Sequence, residues 1–241
     1  MKICVIGLNN AIPKIIFQDE RLANLRRLMD AGLYGTVMSE SSATNVSAWK
    51  RVTTSHDASA GQTQSVADVF AANGKKPVVE GFADWDAAYA GLAAQDWDYF
   101  EFIDSGLEFG LAGARPESED ATGSVAPDYH LWLDEQIGRV METLDDQTIL
   151  LVVSVSGPKA KGSQTSEPGM FLLAAPNCPL AGEHVGASLL DLAPTLLDLA
   201  GYEIPASMQG RSLVAGMEKR APAEEDHEKI IYDRLAGLGY V

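Results

Sequence analysis

The feature that most limits what this chain can fold into is the run 148–157, Thr-Ile-Leu-Leu-Val-Val-Ser-Val-Ser-Gly. Six of its first eight residues are apolar, all of them Ile, Leu or Val, and a glycine ends it. Such a run predicts a parallel strand buried on both faces, because alternation disappears when helices cover both sides of a sheet. A helical pattern over residues 128–144 precedes it, followed by the turn Asp145-Asp146-Gln147. In open α/β sheets ligands bind beyond the carboxyl ends of the strands. Chemistry should therefore be sought at Val155, Ser156 and Gly157, where the chain offers apolar and hydroxyl groups but no carboxylate, imidazole or thiol.

Composition narrows the function classes. A chain of 241 residues, 46% hydrophobic, can bury a full core and fits a single α/β domain over 1–241, with a C-terminal tail from about 215. Its 34 acids against 18 bases give a net charge of −16, which repels phosphate backbones and anionic lipid. Binding to nucleic acid or a membrane surface is accordingly not expected. The two cysteines, Cys4 in an apolar strand pattern and Cys178 in a loop, form no metal or redox motif, as in a reduced intracellular protein. The apolar start is too short for a signal peptide and reads as a first strand. No run reaches transmembrane length. The expectation is a soluble, cytoplasmic protein.

Along the chain, residues 2–8 form a short buried strand ending in Gly7-Leu8-Asn9-Asn10, without the full glycine pattern of a dinucleotide site. Leu22, Leu25, Leu28 and Met29 mark a helix over 19–31 that stops at Gly32. A second strand over 34–38 leads into the polar loop 39–45, which is rich in helix-capping residues, and then into Val46-Ser47-Ala48-Trp49. A helix over 65–74, a strand over 76–81 and a strand ending at Asp104 follow.

These phrases resemble the alkaline phosphatase superfamily, most closely its type I phosphodiesterase/nucleotide pyrophosphatase branch, with sulfatases and cofactor-independent phosphoglycerate mutases as relatives. The resemblance rests on the Gly-Leu-Asn turn, the helix closing before a glycine, Thr44 to Trp49, and Trp97-Asp-Tyr-Phe-Glu-Phe-Ile-Asp104. It is strongest in the stretch 188–202 with Ile204-Pro205 and Met208-Gln-Gly-Arg-Ser-Leu213, and it extends to the closing Ile231 to Tyr240. The stretch 189–199 itself reads as an amphipathic helix kinked at Pro194, a family marker without chemistry.

What the resemblance implies is a site where two divalent cations, zinc or manganese, clamp a phosphate or sulfate and activate a hydroxyl nucleophile. The family's ligand aspartate after the first strand falls on Asn9, which brings no charge. The nucleophile position falls on Asn45, whose amide cannot attack; Thr44, one residue earlier, serves either as a helix N-cap or, with a one-residue slip, as nucleophile. The Asp-His pair ending the central strand falls on Val155 and Ser156. Asp104 is kept, and the histidine expected four residues later falls on Glu108, so these two could hold one hard ion or simply cap a turn and meet solvent. The chain's histidines, His56, His130, His184 and His227, include no pair at metal-ligand spacing, although His56 falls near the expected pocket. Lys159 and Lys161 could place positive charge where the metals would otherwise sit.

The expected fold is α/β, a mainly parallel central sheet with helices on both faces, like an alkaline phosphatase core. The expected function is a degenerate two-metal domain that binds a small anionic ligand through Asn9, Thr44, Asn45, Asp104, Glu108, Ser156 and Lys159 without catalysis. The rival is a working phosphoester or sulfoester hydrolase using Thr44 with one ion on Asp104, Glu108 and Asn9. A third reading is a subunit, such as a homodimer, completed by its partner.

Overall fold

The computed structural model describes residues 1–8, 11–38, 45–57, 63–104, 127–157 and 167–217, with the side chains of Asn45, Pro127 and Asp128 excepted. Every residue of the strand Thr148–Ser154 is buried, as its uninterrupted apolar run requires. In chain order the strands are β1 (Lys2–Leu8), β2 (Leu33–Met38), β3 (Pro77–Ala83), β4 (Tyr99–Asp104), β5 (Thr148–Ser154), β6 (Gly169–Ala174), β7 (Gly182–Glu183) and β8 (Ala187–Ser188). The helices are α1 (Pro13–Gln18), α2 (Ala23–Ala31), α3 (Asn45–Thr54), α4 (Val66–Ala72), α5 (Trp85–Ala93), α6 (Pro127–Thr143) and α7 (Leu192–Ala200).

The strands lie in the order β3-β4-β1-β5-β6-β2-β7, with β8 also paired to β2. Among the described strands β6 alone runs against the rest, pairing antiparallel with both β5 and β2. The mainly parallel α/β sandwich is therefore present as the apolar strands predict. Because strand side chains alternate, Ile3, Val5, Leu151 and Val153 face a core closed by Trp49 of α3, Phe70 of α4 and Leu196 of α7. Cys4, Ile6, Leu8, Leu150 and Val152 face the opposite core, closed by Ile16 of α1, Leu25 of α2, Leu92 of α5 and Leu133 of α6. Burial raises both thiols above their ordinary range. No helix among the described residues is long and apolar enough to cross a membrane.

Two expectations change. The helix foreseen over 19–31 begins later, at Ala23, and is preceded by the separate α1. Asp19 turns the chain between them by accepting Arg21's backbone N–H at 3.0 Å and its guanidinium. Leu22, at the helix start, provides no side-chain cap. The missing acceptor comes from α6: Asp134 takes the Leu25 N–H at 2.8 Å and the Asn24 amide at 3.1 Å. The second change concerns 189–199, which is a 3-10 turn (Leu189–Asp191) followed by α7. Pro194 falls in the first turn of α7, where its missing N–H costs nothing, so it does not kink the helix. Seven of the nine α7 residues are buried, and this is a core helix rather than an amphipathic one.

The phrase 208–213 has a structural task. Gln209 and Gly210 donate their N–H groups to the Ser55 carbonyl at 2.8 Å and the Ser55 Oγ at 2.9 Å, at the end of α3. The Arg211 and Leu213 N–H groups go to Asp191 Oδ1 at 3.0 Å and Thr195 Oγ1 at 2.9 Å. A side chain at Gly210 would meet the Leu190 carbonyl oxygen at 2.1 Å. The late phrase thus links α3 to the 3-10 turn and α7 through backbone N–H groups, with a close approach at Gly210 that leaves no room for a side chain.

Candidate functional site

Register brings one row of residues to the carboxyl rim. Ala83 of β3 pairs with Asp104 of β4, and Leu8 of β1 pairs with Ser154 of β5. Gly7 pairs with Ile103, so Leu8 lies between Asp104 and Ser154 in the same row. Two interstrand spacings separate those two strands, roughly 10 Å. Asp104 is 1% exposed and Ser154 fully buried. By strand alternation both belong to the side of Phe102, Leu8 and Val152, under α6.

Past β5 the chain is tightly held. Ser154 Oγ donates to the Ser156 carbonyl at 2.9 Å, and the Gly157 N–H reaches the Glu167 carbonyl at 3.0 Å. Val155, at 2% exposure, packs in the other core with Val153 and Trp49, while Ser156 is half-buried. Asn45 opens α3, the ten-residue helix on that same side. Asn9, Thr44, Glu108, Lys159, Lys161 and His227 lie outside the described residues. The rim thus carries Asp104 and Ser156 at the ends of β4 and β5, with β1 between them, and Asp104 and α3 belong to opposite faces of the sheet and can meet only over the strand ends.

Gly7 explains how α3 reaches the rim. A side chain there would come within 2.5 Å of the Trp49 ring and 3.1 Å of Ile103, so the indole lies against the bare backbone of β1. His56 is displaced from where the sequence suggested. It follows the carboxyl end of α3, about 15 Å of helix away from Asn45, and its Nδ1 contacts the Asp57 carbonyl at 2.8 Å. His184, next to β7, is likewise distant in the topology from the ends of β1, β4 and β5.

Two buried titratable residues, Glu101 and His130, have partners that the sequence did not indicate. Glu101, in the middle of β4, accepts the Tyr99 hydroxyl at 2.6 Å; burial raises its carboxyl pKa, and the tyrosine hydrogen bond partly opposes that. It sits three residues before Asp104, within the core rather than at the rim. His130, fully buried at the start of α6, accepts the Ile12 N–H on Nε2 at 3.2 Å. It thereby ties α6 to the connection following β1. In the neutral ring Nδ1 then carries the proton, and that N–H has no partner among the described residues. The indole N–H groups of Trp49 and Trp85 are also buried without an acceptor there. All three are donors, which suit an anion or water and repel a cation.

Burial lowers His130 to about 4 from an ordinary 6.5, the Asp19 carboxylate pulling weakly the other way. Between those values the unfolded chain binds a proton that the folded chain excludes. Stability is therefore full above pH 6.5 and declines as pH falls towards 4, by about 3 kcal/mol at most. His130→Gln should flatten this part of the profile in urea melts at stepped pH; an unchanged slope would show that the imidazole does not titrate this way.

A cavity of about 380 Å³ lies at the opposite end of the sheet, between Leu28, Leu144, Thr148 and Leu180, and does not enlarge the rim. The architecture has clear parallels among solved structures. A protein in the alkaline phosphatase superfamily from Vibrio parahaemolyticus superposes with a TM-score of 0.65 and 14% identity, over 90% of this chain and 70% of that one. The fold is that of the alkaline phosphatase superfamily. No family model matches the sequence. The chain is 36% identical over 91 residues to a 2,3-bisphosphoglycerate-independent phosphoglycerate mutase of Vibrio parahaemolyticus, covering 34% of this chain and 18% of that enzyme. It is 26% identical over 176 residues to an N-acetylglucosamine-6-O-sulfatase of Bacteroides thetaiotaomicron, covering 61% of this chain and 28% of that one. The matched segments thus span less than a third of these longer relatives.

For the alkaline phosphatase fold the resemblance implied two divalent ions at the rim. Asp104 is a hard anionic oxygen ligand of the type required. Val155 has no lone pair and faces the core, and Ser156 is a neutral hydroxyl whose carbonyl is already engaged by Ser154. Among the described residues no three His, Cys, Asp or Glu side chains are grouped to hold a metal. Of the ligand and nucleophile positions that the resemblance names, those described are Asp104, Val155 and Ser156, together with the backbone of Asn45.

Proposed function

We propose that this chain is a phosphodiesterase-like domain of the type I phosphodiesterase/nucleotide pyrophosphatase branch whose two-metal centre has degenerated, and that it binds a small anion without turning it over. The observation carrying this reading is that Val155, on which the resemblance places a ligand carboxylate, is packed into the core with Val153 and Trp49. A side chain committed to packing is not a ligand lost by one surface substitution; the backbone after β5 is set to bury it. The first-turn amides of α3 provide the anion's attraction, since a helix N-terminus carries unsatisfied N–H groups and partial positive charge. They matter more here because the chain's net charge of −16 otherwise repels anions.

The test combines metal content and turnover. Protein purified without chelators is analysed for zinc and manganese, then assayed with p-nitrophenyl phosphate, bis(p-nitrophenyl) phosphate and p-nitrophenyl sulfate in the presence of each metal. Less than one ion per chain and hydrolysis no faster than buffer are expected, with inorganic phosphate still binding in calorimetry. Metal-dependent turnover lost in Thr44→Ala would instead establish the hydrolase.

A further inference from the structure

We propose that the cleft between α1 and β2 binds a neutral saccharide. The cleft encloses about 430 Å³, within the range of small-molecule sites. It exists because α1 has only six residues, about 9 Å of helix, and leaves part of β2's face uncovered. Phe17 and Tyr34 form its apolar wall, half-buried and packed edge to face at 5.1 Å between ring centroids. Around that wall stand Gln18 from α1, Glu183 from β7 and Glu167 from the lead into β6, with Lys14 at the helix start. None of these four side chains is hydrogen-bonded or ion-paired to another described residue.

The lining selects among ligand classes. A purely apolar ligand would strip water from the two carboxylates and the amide and return no hydrogen bonds. An anion would face two carboxylates against one ammonium on a chain of net charge −16. A sugar ring satisfies both halves of the cleft. Its C–H face packs against Phe17 and Tyr34, while its hydroxyls donate to Glu167, Glu183 and the Gln18 carbonyl and accept from Lys14. The cleft contains neither Asp104 nor Ser156, so the proposal stands apart from the anion-binding reading of the rim. Glu167, which lines the cleft, accepts the Gly157 N–H beyond β5 through its backbone carbonyl.

Saturation-transfer NMR on the whole chain tests this with cellobiose and N,N′-diacetylchitobiose as neutral probes, and with glucose 6-sulfate and spermidine as charged ones. Transfer to the C–H protons of at least one neutral disaccharide is expected, undiminished by saturating inorganic phosphate. Tyr34→Ala should weaken it by about tenfold or more, a loss of about 1.4 kcal/mol. Glu183→Arg, at an exposed position, should do the same with an unchanged melting temperature. No transfer to either disaccharide, equal transfer with both variants, tighter binding of a charged probe, or displacement by phosphate would each overturn the proposal.

Discussion

Val155→Asp is expected to destabilise the protein severely instead of rebuilding a metal ligand. The side chain is 2% exposed among Val153, Trp49 and their neighbours, on the face closed by α3, α4 and α7. Substitution forfeits about 1.5–3 kcal/mol of apolar burial and places a carboxyl group within a buried apolar cluster. An unpaired buried charge adds several kcal/mol or titrates to its neutral form. A total loss of about 4 kcal/mol corresponds to a melting temperature roughly 8–16 °C lower for a chain of this size. Ser156→His, at a half-buried position, should change the melting temperature little. Thermal melts of both variants with and without zinc decide the matter. A Val155→Asp protein that melts like the parent and gains tightly bound zinc would mean that position 155 points to the site, and the degenerate-centre reading would fail.

Gly169→Ala should be nearly as costly, for a reason of backbone geometry. A side chain at this position, the start of β6, would stand 2.1 Å from the Ser154 carbonyl oxygen and 2.7 Å from the Val155 carbonyl carbon. Neither atom can swing away as a side-chain tip would, so β5 and β6 must separate at the rim. That displacement strains the Gly157–Glu167 hydrogen bond and the burial of Val155 together. A loss of about 3 kcal/mol is expected, in the range of overpacked cores. Gly74→Ala provides the comparison: its φ of +70° disfavours a side chain, but nothing lies within 4 Å, so the backbone cost alone, about 1 kcal/mol, should remain. Denaturant melts showing equal losses for the two would refute the close approach at Gly169.

Both predictions concern the rim that the central strand directs attention to, and the residues show unevenly in sequence. Asp104 is identifiable because it ends an apolar strand, and its burial follows from that placement. His130 gave no signal: on a helix beside Trp132 it looks like any partly exposed residue. Its contact with the Ile12 N–H joins positions 118 apart. Likewise Asp134 reads as a helix-surface acid, yet it caps α2 from another helix. His56 failed in the opposite direction, being near Thr44 in sequence but separated from the start of α3 by the whole helix.

The chain's own order of residues was enough to determine the layers. Unbroken Ile, Leu and Val runs can be satisfied only by strands buried on both faces, and helical spacing between them supplies the covers, so β1, β4, β5 and the mainly parallel sandwich follow from local chemistry. Tertiary structure alone decided which way Val155 faces, that β6 runs against its neighbours, and that short α1 leaves β2 partly open. Those outcomes depend on register and on backbone approaches at Gly7, Gly169 and Gly210 between segments far apart in the chain, and no local pattern encodes a distance of that kind.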